Sequence, residues 1–193
     1  MNEKQEAIER LLLKAEREGM GGLIMAMREG GFFEAPCSGK NHLSCIGGLA
    51  EHSLNVFHHM VDLNITLKAE IPDESIIICA LLHDLGKMGQ FGKPNYVPNM
   101  LTGRATKANP NPEPYQSETK PFETNSDLIY VDHEVRSVAI ASQYIRLTED
   151  EQWAILMHNG LYGNFRYVIP GKETKMYLLL HMSDMWASRV TEG

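Results

Sequence analysis

A short segment near the middle of the chain joins an uninterrupted apolar run to two ionisable residues. Residues 76–82 are all apolar, which predicts a fully buried helix, and His83 and Asp84 follow them directly. Ionised groups in such surroundings cost several kcal/mol unless they are paired or bound to a metal, and an imidazole beside a carboxylate offers two ligands for a divalent cation. Gly86 is expected to end the helix, so that Lys87 projects near the metal as a point charge suited to phosphate. Because a His-Asp pair also arises by chance, the rest of the chain must supply its partners.

The length and composition indicate one globular domain spanning residues 1–193. Apolar residues make up 43% of the chain and charged residues 22%, which is ordinary for such a domain. The formal net charge of −7 argues against a long, sequence-independent grip on nucleic acid, which needs clustered Lys and Arg. It leaves room for a local site that holds one or a few phosphates. The pattern does not specify an oligomeric state.

The cysteines and the apolar runs indicate in which cellular compartment the protein is expected. Cys37, Cys45 and Cys79 are odd in number and have no C-x-x-C spacing, so neither a disulfide framework nor a structural zinc site is expected. The first residues lack the apolar core of a signal peptide, and no apolar run approaches the length of a membrane span. We therefore expect a cytoplasmic protein without a membrane partner.

Apolar residues recur at helical spacing through most of the chain, and no run alternates long enough to predict a sheet core. The predicted fold class is therefore all-α. Thr148 and Glu151 have the form of a capping box at the start of one helix, and the triplet at residues 158–160 is typical of its end. The predicted helices cover residues 3–17, 23–27, 46–69, 72–85, 133–145, 148–158 and 173–189.

Residues 88–130 differ in character from the rest of the chain. They hold most of the nine prolines together with much Asn, Gly and Thr, which excludes a long regular helix but leaves room for a small β-hairpin. A structureless stretch of this length inside a compact domain is usually a functional lid or disordered. Because the segment joins the helix of His83 and Asp84 to His133, we predict a lid over the cleft. A dimerisation arm and a disordered insertion are the alternatives.

Four further ionisable residues lie on apolar helix faces or at a helix start. Taken singly, each has an ordinary explanation, since a lone His on an apolar face is more often a hydrogen-bonded core residue and an Asp can cap a helix. Together with His83 and Asp84, however, they place metal-ligand types on separate helices, and one metal centre would relieve all their burial costs at once. The four residues are His52, His133, His158 and Asp184, whereas His58, His59 and His181 are assigned outside the centre, the last as a support for Asp184.

The order H…HD…D resembles the signature of the HD superfamily of metal-dependent phosphohydrolases. His52, the pair His83 and Asp84, and finally Asp184 match it in this order. The run GGLAEHSL around His52 is similar to the helix that carries the first ligand of the family, and LLHDLGK is similar to its central motif. Residues 35–42, which lead into the first of these runs, are similar to the catalytic part of OB–HD three-prime exoribonucleases.

This resemblance implies an HD-domain helical bundle with a divalent transition metal, and in members with two metals extra His ligands fall between the central pair and the last Asp. His133 and His158 match those positions, and Asp84 would bridge the two ions. The ligand types favour Mn, Fe or Ni, with Zn or Co as alternatives. The implied reaction is hydrolysis of a phosphate ester by metal-activated hydroxide. Asp84 and Lys87 are its candidate catalytic residues, and Lys87 would neutralise charge on a phosphoryl oxygen.

Three functions are compatible with these residues. The preferred one is an enzyme that acts on a nucleotide or a short oligonucleotide, because the chain lacks a long basic face for a polymer. The second is a phosphohydrolase that acts on another phosphorylated metabolite. The third is a non-catalytic binding module in which the metal is a structural brace, but the complete ligand set and the retained Lys87 argue against it.

Overall fold

The computed structural model describes residues 3–107 and 109–193, and within them seven α-helices form a bundle, which confirms the predicted all-α class. Short 3-10 turns at Leu85–Met88 and Gly160–Tyr162 follow the fourth and sixth helices, and a π-helical turn at Ala187–Thr191 continues the last one. The helices are α1 (Glu3–Lys14), α2 (Met20–Glu29), α3 (Gly48–Leu67), α4 (Asp73–Leu82), α5 (His133–Ala141), α6 (Glu149–Met157) and α7 (Lys175–Trp186).

Helix α4 lies at the centre of the bundle. Every residue from Ser75 to Leu82 is buried, because α4 packs against α1, α3, α6 and α7. The prediction of a buried helix is confirmed, but the helix ends at Leu82 and not at Gly86. Gly86 lies in the 3-10 turn that follows, where its missing side chain allows close approach to α5. A Cβ at this position would overlap the backbone oxygen of His133 and crowd Ser137.

The start of α6 ties three parts of the bundle together through one carboxylate. Thr148 and Glu151 form the predicted capping box: Thr148 Oγ1 accepts from the Glu151 N–H at 3.2 Å, and Glu151 Oε2 accepts from the Thr148 N–H at 2.8 Å. The same carboxylate accepts two bonds of 3.1 Å from Arg17, which follows α1, and one of 2.7 Å from Ser75 of α4. Because Glu151 is fully buried, its charge depends on these partners.

Two helix boundaries near the start of the chain differ from the prediction. Helix α1 ends at Lys14 and not at residue 17, because Glu16 adopts a left-handed φ of 49°. Helix α2 begins at Met20, three residues earlier than predicted, because Gly19 supplies the φ of 85° that turns the chain into it.

The Pro-rich segment contains two antiparallel ladders, one nested inside the other. The outer ladder pairs β1 (Tyr96–Pro98) with β4 (Phe122–Thr124), and the inner one pairs β2 (Met100–Thr102) with β3 (Pro114–Gln116). The small hairpin expected in this segment is therefore present. We refer to residues 96–124 as the arm. Its outer ladder packs beside the loop before α3, where the Phe122 N–H donates to the oxygen of Gly39 at 3.1 Å.

No helix in residues 3–107 and 109–193 is both long enough and apolar enough to span a membrane.

Candidate metal centre

The residues predicted to bind metal converge in the interior of the bundle. His83 and Asp84 directly follow α4, so the central helix carries this pair to the middle of the molecule. Helices α3 and α7 pack on α4, and α5 packs on the 3-10 turn after it, which directs their side chains at the same pair. The six residues are His52 on α3, His83 and Asp84 after α4, His133 at the start of α5, His158 just after α6, and Asp184 on α7.

One half of the centre lies between α3, α4 and α7. Nε2 of His52 is 3.2 Å from Oδ1 of Asp184, 3.3 Å from Nε2 of His83 and 3.5 Å from Oδ2 of Asp84. Nε2 of His83 lies 3.4 Å from the same oxygen of Asp84. The ligand atoms of His52, His83 and Asp184 all lie within 4.8 Å of one another, which is close enough for them to share a metal ion.

The other half faces the second oxygen of Asp84. Oδ1 of Asp84 is 3.1 Å from Nε2 of His133 and 3.5 Å from Nε2 of His158, and these two nitrogens are 3.4 Å apart. His83, Asp84 and His158 form a second group of ligand atoms within 4.8 Å of one another. The carboxylate of Asp84 therefore stands between two sets of imidazoles and presents one oxygen to each.

The histidines direct the same nitrogen, Nε2, towards the centre. Nδ1 of His83 donates to the backbone oxygen of Ala80 at 2.9 Å, and a carbonyl oxygen can only accept, so the proton of the neutral ring is on Nδ1. Burial lowers the pKa of His83 and favours this neutral form. The other Nδ1 atoms also face acceptors: His158 faces Ile155 O at 2.7 Å, His52 faces the Glu192 carboxylate at 3.1 Å, and His133 faces Glu134 at 3.3 Å.

This arrangement fits divalent metal ions. With Nδ1 protonated, each Nε2 offers a lone pair, so the centre brings together acceptor atoms that cannot hydrogen-bond to one another. Oδ1 of Asp84 is buried and has no hydrogen-bond partner among the described residues, despite the two imidazoles beside it. A buried acceptor of this kind requires an explanation, and a cation between the lone pairs provides one.

One lysine approaches the centre from the cleft side. Lys87 Nζ lies 2.6 Å from Oδ2 of Asp84. Burial raises the pKa of a carboxyl group, but the charge of Lys87 outweighs it and holds the pKa of Asp84 well below its usual value. Burial likewise opposes the charge on Lys87, yet Asp84 raises the pKa of Lys87 well above the ordinary value. Both groups are therefore charged at neutral pH.

The negative charge of the centre also acts on the imidazoles. Burial opposes protonation of His158, but Asp84 and Asp184 raise its pKa above the ordinary value. The carboxylates thus favour any cation placed between them, whether a proton or a metal ion.

A cavity of about 370 Å³ opens onto the centre. Its floor includes His158, Asp184 and Lys87, so a molecule in the cavity reaches both halves of the centre and the ammonium group. Among the described residues that line it, none belongs to the arm. The remaining walls are mostly polar and are formed by Asn41, His42, Asn159, Tyr162, His181, Met185, Ser188, Arg189 and Gly193.

Several contacts of the centre were not predicted from the sequence. Nδ1 of His181 donates to the backbone oxygen of His158 at 2.7 Å, so His181 supports His158 and not Asp184 as expected. The amide of Asn159 lies 3.3 Å from Nε2 of His133. No local pattern marks either contact, because the first depends on how α6 packs against α7 and the second on how α6 packs against α5.

A buried thiol also lies beside the centre. Sγ of Cys37 is 3.3 Å from Nε2 of His42 and 3.8 Å from Nζ of Lys87. Burial raises the pKa of a thiol, but Lys87 and His52 outweigh it and lower the pKa of Cys37 to about 7. The odd number of cysteines gave no indication of this position.

In this all-α bundle the central helix leads directly into His83 and Asp84, and three other helices bring imidazoles to the same pair. Such a cluster of ligands is a centre for divalent metals. The model of the HD domain family matches residues 49–181, which is more than half of the chain. The chain therefore belongs to the HD domain family, whose members are in general metal-dependent phosphohydrolases. Comparison with curated proteins and with solved structures gives no match. The family match does not extend to the narrower likeness to OB–HD exoribonucleases.

Proposed function

We propose that this protein is a phosphohydrolase that uses two divalent transition-metal ions to hydrolyse a phosphate ester of a nucleotide or a short oligonucleotide. His52, His83, Asp84 and Asp184 would hold one ion, and Asp84, His133 and His158 would hold the second. The observation that carries the proposal is the position of Asp84, whose two oxygens face separate imidazole sets while Oδ1 has no hydrogen-bond partner among the described residues.

The positions of the metal ligands and of Lys87 indicate what each group does in the proposed reaction. When bound, a pair of ions lowers the pKa of a water molecule and polarises the phosphoryl oxygens. Lys87 faces the cavity from the same floor and binds a non-bridging phosphoryl oxygen, where it offsets the charge that develops during attack. Asp84 fixes the position of one half of the centre relative to the other, because each of its oxygens faces one half. The side chain of Lys87 is only 13% exposed, so its charge acts at a lower dielectric than it would in bulk water.

The donor set supports Mn, Fe or Ni as the metal and also accepts Zn or Co. Imidazole and carboxylate are ligands for all of these ions, whereas a thiolate would favour softer ones. Cys37, His42 and His52 form a third group of ligand atoms within 4.8 Å of one another, but the proposed pair uses only nitrogen and oxygen donors.

The walls of the cavity support a small nucleotide-like substrate. A volume of about 370 Å³ lies at the small end of the usual range for ligand pockets. Tyr162 is 73% exposed, and the guanidinium of Arg189 lies 5.9 Å from the centre of its ring. An aromatic face beside a guanidinium can stack on a base and hold a second phosphate. Another phosphorylated metabolite with a planar group would meet the same walls.

A non-catalytic brace is a weaker explanation of this centre. A structural metal needs a closed ligand set, whereas here Asp184 and His158 line an open cavity beside a charged lysine. A purely structural metal would therefore explain neither the cavity nor the position of Lys87.

The proposal is tested with chelated protein reloaded with one metal at a time. Mn²⁺, Fe²⁺, Ni²⁺, Zn²⁺ and Co²⁺ are each added before assay against a generic aryl phosphodiester and a panel of nucleotides and short oligonucleotides. We expect metal-dependent turnover of the aryl ester and of at least one nucleotide class, abolished in Asp84→Asn. Tight metal binding without turnover of any substrate would favour the structural brace, and absence of metal binding would refute the proposal.

A further inference from the structure

The end of the chain returns to the helix that carries His52. Helix α7 does not stop at Trp186 but widens into the π-helical turn, in which the Glu192 N–H donates to the oxygen of Ala187 at 3.0 Å. A π-helical turn changes the direction in which the following side chains point, and such turns are frequent at functional sites. Here the turn brings Glu192 onto α3.

Glu192 is buried against one face of α3. Its side chain is 2% exposed, and both of its oxygens lie 3.1 Å from Nδ1 of His52. The amide of Asn55 donates to Oε1 at 2.9 Å. The neighbouring Thr191 Oγ1 lies 2.8 Å from Nε2 of His59. His52, Asn55 and His59 are three and seven residues apart, which places them on the same side of the helix.

The position of His52 in its helix explains why it needs such a partner. His83 and His158 each follow the last residue of a helix and donate Nδ1 to the carbonyl three residues earlier, where helix ends leave carbonyls free. His52 lies within α3, where the carbonyls are taken up by the helix, and Leu49 O also accepts from Ser53 Oγ at 2.9 Å. The Nδ1 of His52 must therefore find its acceptor outside its own helix.

We propose that Glu192 is a positioning residue of the metal centre, an inference that rests on the proposed function. Its carboxylate accepts the Nδ1 proton of His52, fixes the tautomer and holds the ring with Nε2 towards Asp84 and Asp184. Because the imidazole ring lies between Glu192 and the other ligands, Glu192 acts through His52 and is not itself a ligand. Carboxylates that hold a ligating imidazole in this way strengthen metal binding, and their loss costs about 10- to 100-fold in affinity.

The test measures metal affinity in a protein with one remaining ion. In a His158→Ala background the His52 half is isolated, and Mn²⁺ binding is followed by calorimetry. Adding Glu192→Ala should weaken binding by about 10- to 100-fold. Glu192→Gln, which keeps the shape and an acceptor oxygen, should lose less. Nitrogen-15 NMR of the metal-free protein at alkaline pH, where the imidazole rings are neutral, should show His52 as the Nδ1–H tautomer in the parent and as a mixture in Glu192→Ala.

The matched control is Thr191→Ala, which removes the neighbouring contact to His59 and leaves the carboxylate in place. It should bind Mn²⁺ like the parent. If Thr191→Ala weakens Mn²⁺ binding as much as Glu192→Ala does, the effect comes from general loosening of the segment after α7. If Glu192→Ala leaves the affinity unchanged, Glu192 has only a packing role. Either result overturns the inference while the proposed function stands. Failure of the wild type to bind metal at all would overturn both.

Discussion

The ammonium nitrogen of Lys87 lies 2.6 Å from Oδ2 of Asp84, the oxygen that also faces His52 and His83. Lys87 also lines the cavity, so in the proposed function it is a cationic group available to a substrate phosphate beside the metals. Its role in catalysis can be separated from metal binding, because a lysine ammonium is a hydrogen-bond donor and cannot be a ligand while charged.

Replacing Lys87 should affect turnover more than metal content. We expect Lys87→Met to lower kcat by about 100- to 1000-fold, since it removes one donor to the developing phosphoryl charge. Metal content, measured by elemental analysis, should remain that of the wild type. Lys14→Met is the control, because Lys14 is exposed in the last turn of α1 and lies outside the cavity. Loss of metal in Lys87→Met would instead assign the lysine to assembly of the centre.

The number of ions can be tested at His158. The wild type should carry about two transition ions per chain, as expected for a carboxylate-bridged pair, and His158→Ala should lose one of them. The exposed His58 on α3 provides the matched control, since His58→Ala removes an imidazole far from the centre. Elemental analysis after gel filtration gives the stoichiometry, and circular dichroism checks the fold. One ion in both the wild type and His158→Ala would indicate a mononuclear centre.

Gly86 should be intolerant of even a methyl group. A Cβ would overlap the backbone oxygen of His133, and the Gly86 N–H donates to Ser137 Oγ at 2.8 Å, so α5 must move away to accommodate it. We expect Gly86→Ala to lower the free energy of unfolding by about 1–3 kcal/mol, as overpacking does, and to weaken the ion on the His133 side. Urea unfolding and metal titration measure the two effects. Gly21→Ala serves as a control for loss of a glycine, because Gly21 is exposed in α2, has no left-handed φ and leaves open space for a Cβ.

The capping carboxylate of α6 should make stability depend on pH. Burial raises the pKa of Glu151, but Arg17, Thr148 and Ser75 outweigh it and hold that pKa below the ordinary value of 4.5. A carboxyl group with a lowered pKa in the folded state stabilises the fold above its unfolded pKa, and the contribution is lost as pH falls through the folded pKa.

We therefore expect Glu151→Gln to reduce the free energy of unfolding by about 3 kcal/mol near neutral pH, because it leaves Arg17 without its buried partner. The difference from the wild type should shrink as the pH is lowered below 4.5. Urea unfolding across this range provides the measurement. The exposed Glu149 lies in the same helical turn, and Glu149→Gln should leave stability almost unchanged. A difference that does not vary with pH would show that the charge of Glu151 is unimportant.

The features predicted correctly depend on patterns within a few residues. The apolar run of α4 fixes both its helix and its burial, and Thr148 with Glu151 marks a helix start by local hydrogen bonding alone. The convergence of ionisable residues from several helices was expected on a different ground, since burial of such groups needs compensation wherever they lie; their role as metal ligands stays a prediction.

The features missed depend on packing between distant elements. Glu192 follows a helix without any motif, and its contact with His52 exists only because α7 widens before it reaches α3. The role of Gly86 likewise requires the position of α5, which is separated from it by the whole arm. Strands β2 and β3 are fully exposed, so neither shows the alternation from which a strand is predicted.

The prediction that residues 88–130 form a lid is tested by shortening the arm, which lies within them. Replacing residues 96–124 by a short Gly-Ser linker should retain metal and cleavage of a small aryl phosphodiester, since the cavity floor is formed elsewhere. If the arm acts as a lid, discrimination among nucleotides should be lost. A nucleotide preference identical to that of the full chain would show that the cavity alone selects the substrate.

The nested ladders also make the arm an exchangeable module. Tyr96 and Thr124 pair with each other, so the chain leaves the bundle and re-enters it at neighbouring points. Because the outer ladder holds these points together, the inner ladder of β2 and β3 can lengthen, shorten or change sequence without altering the spacing between α4 and α5. Evolution, or a protein engineer, can therefore exchange the outer part of the arm without moving the helices that carry the candidate metal ligands.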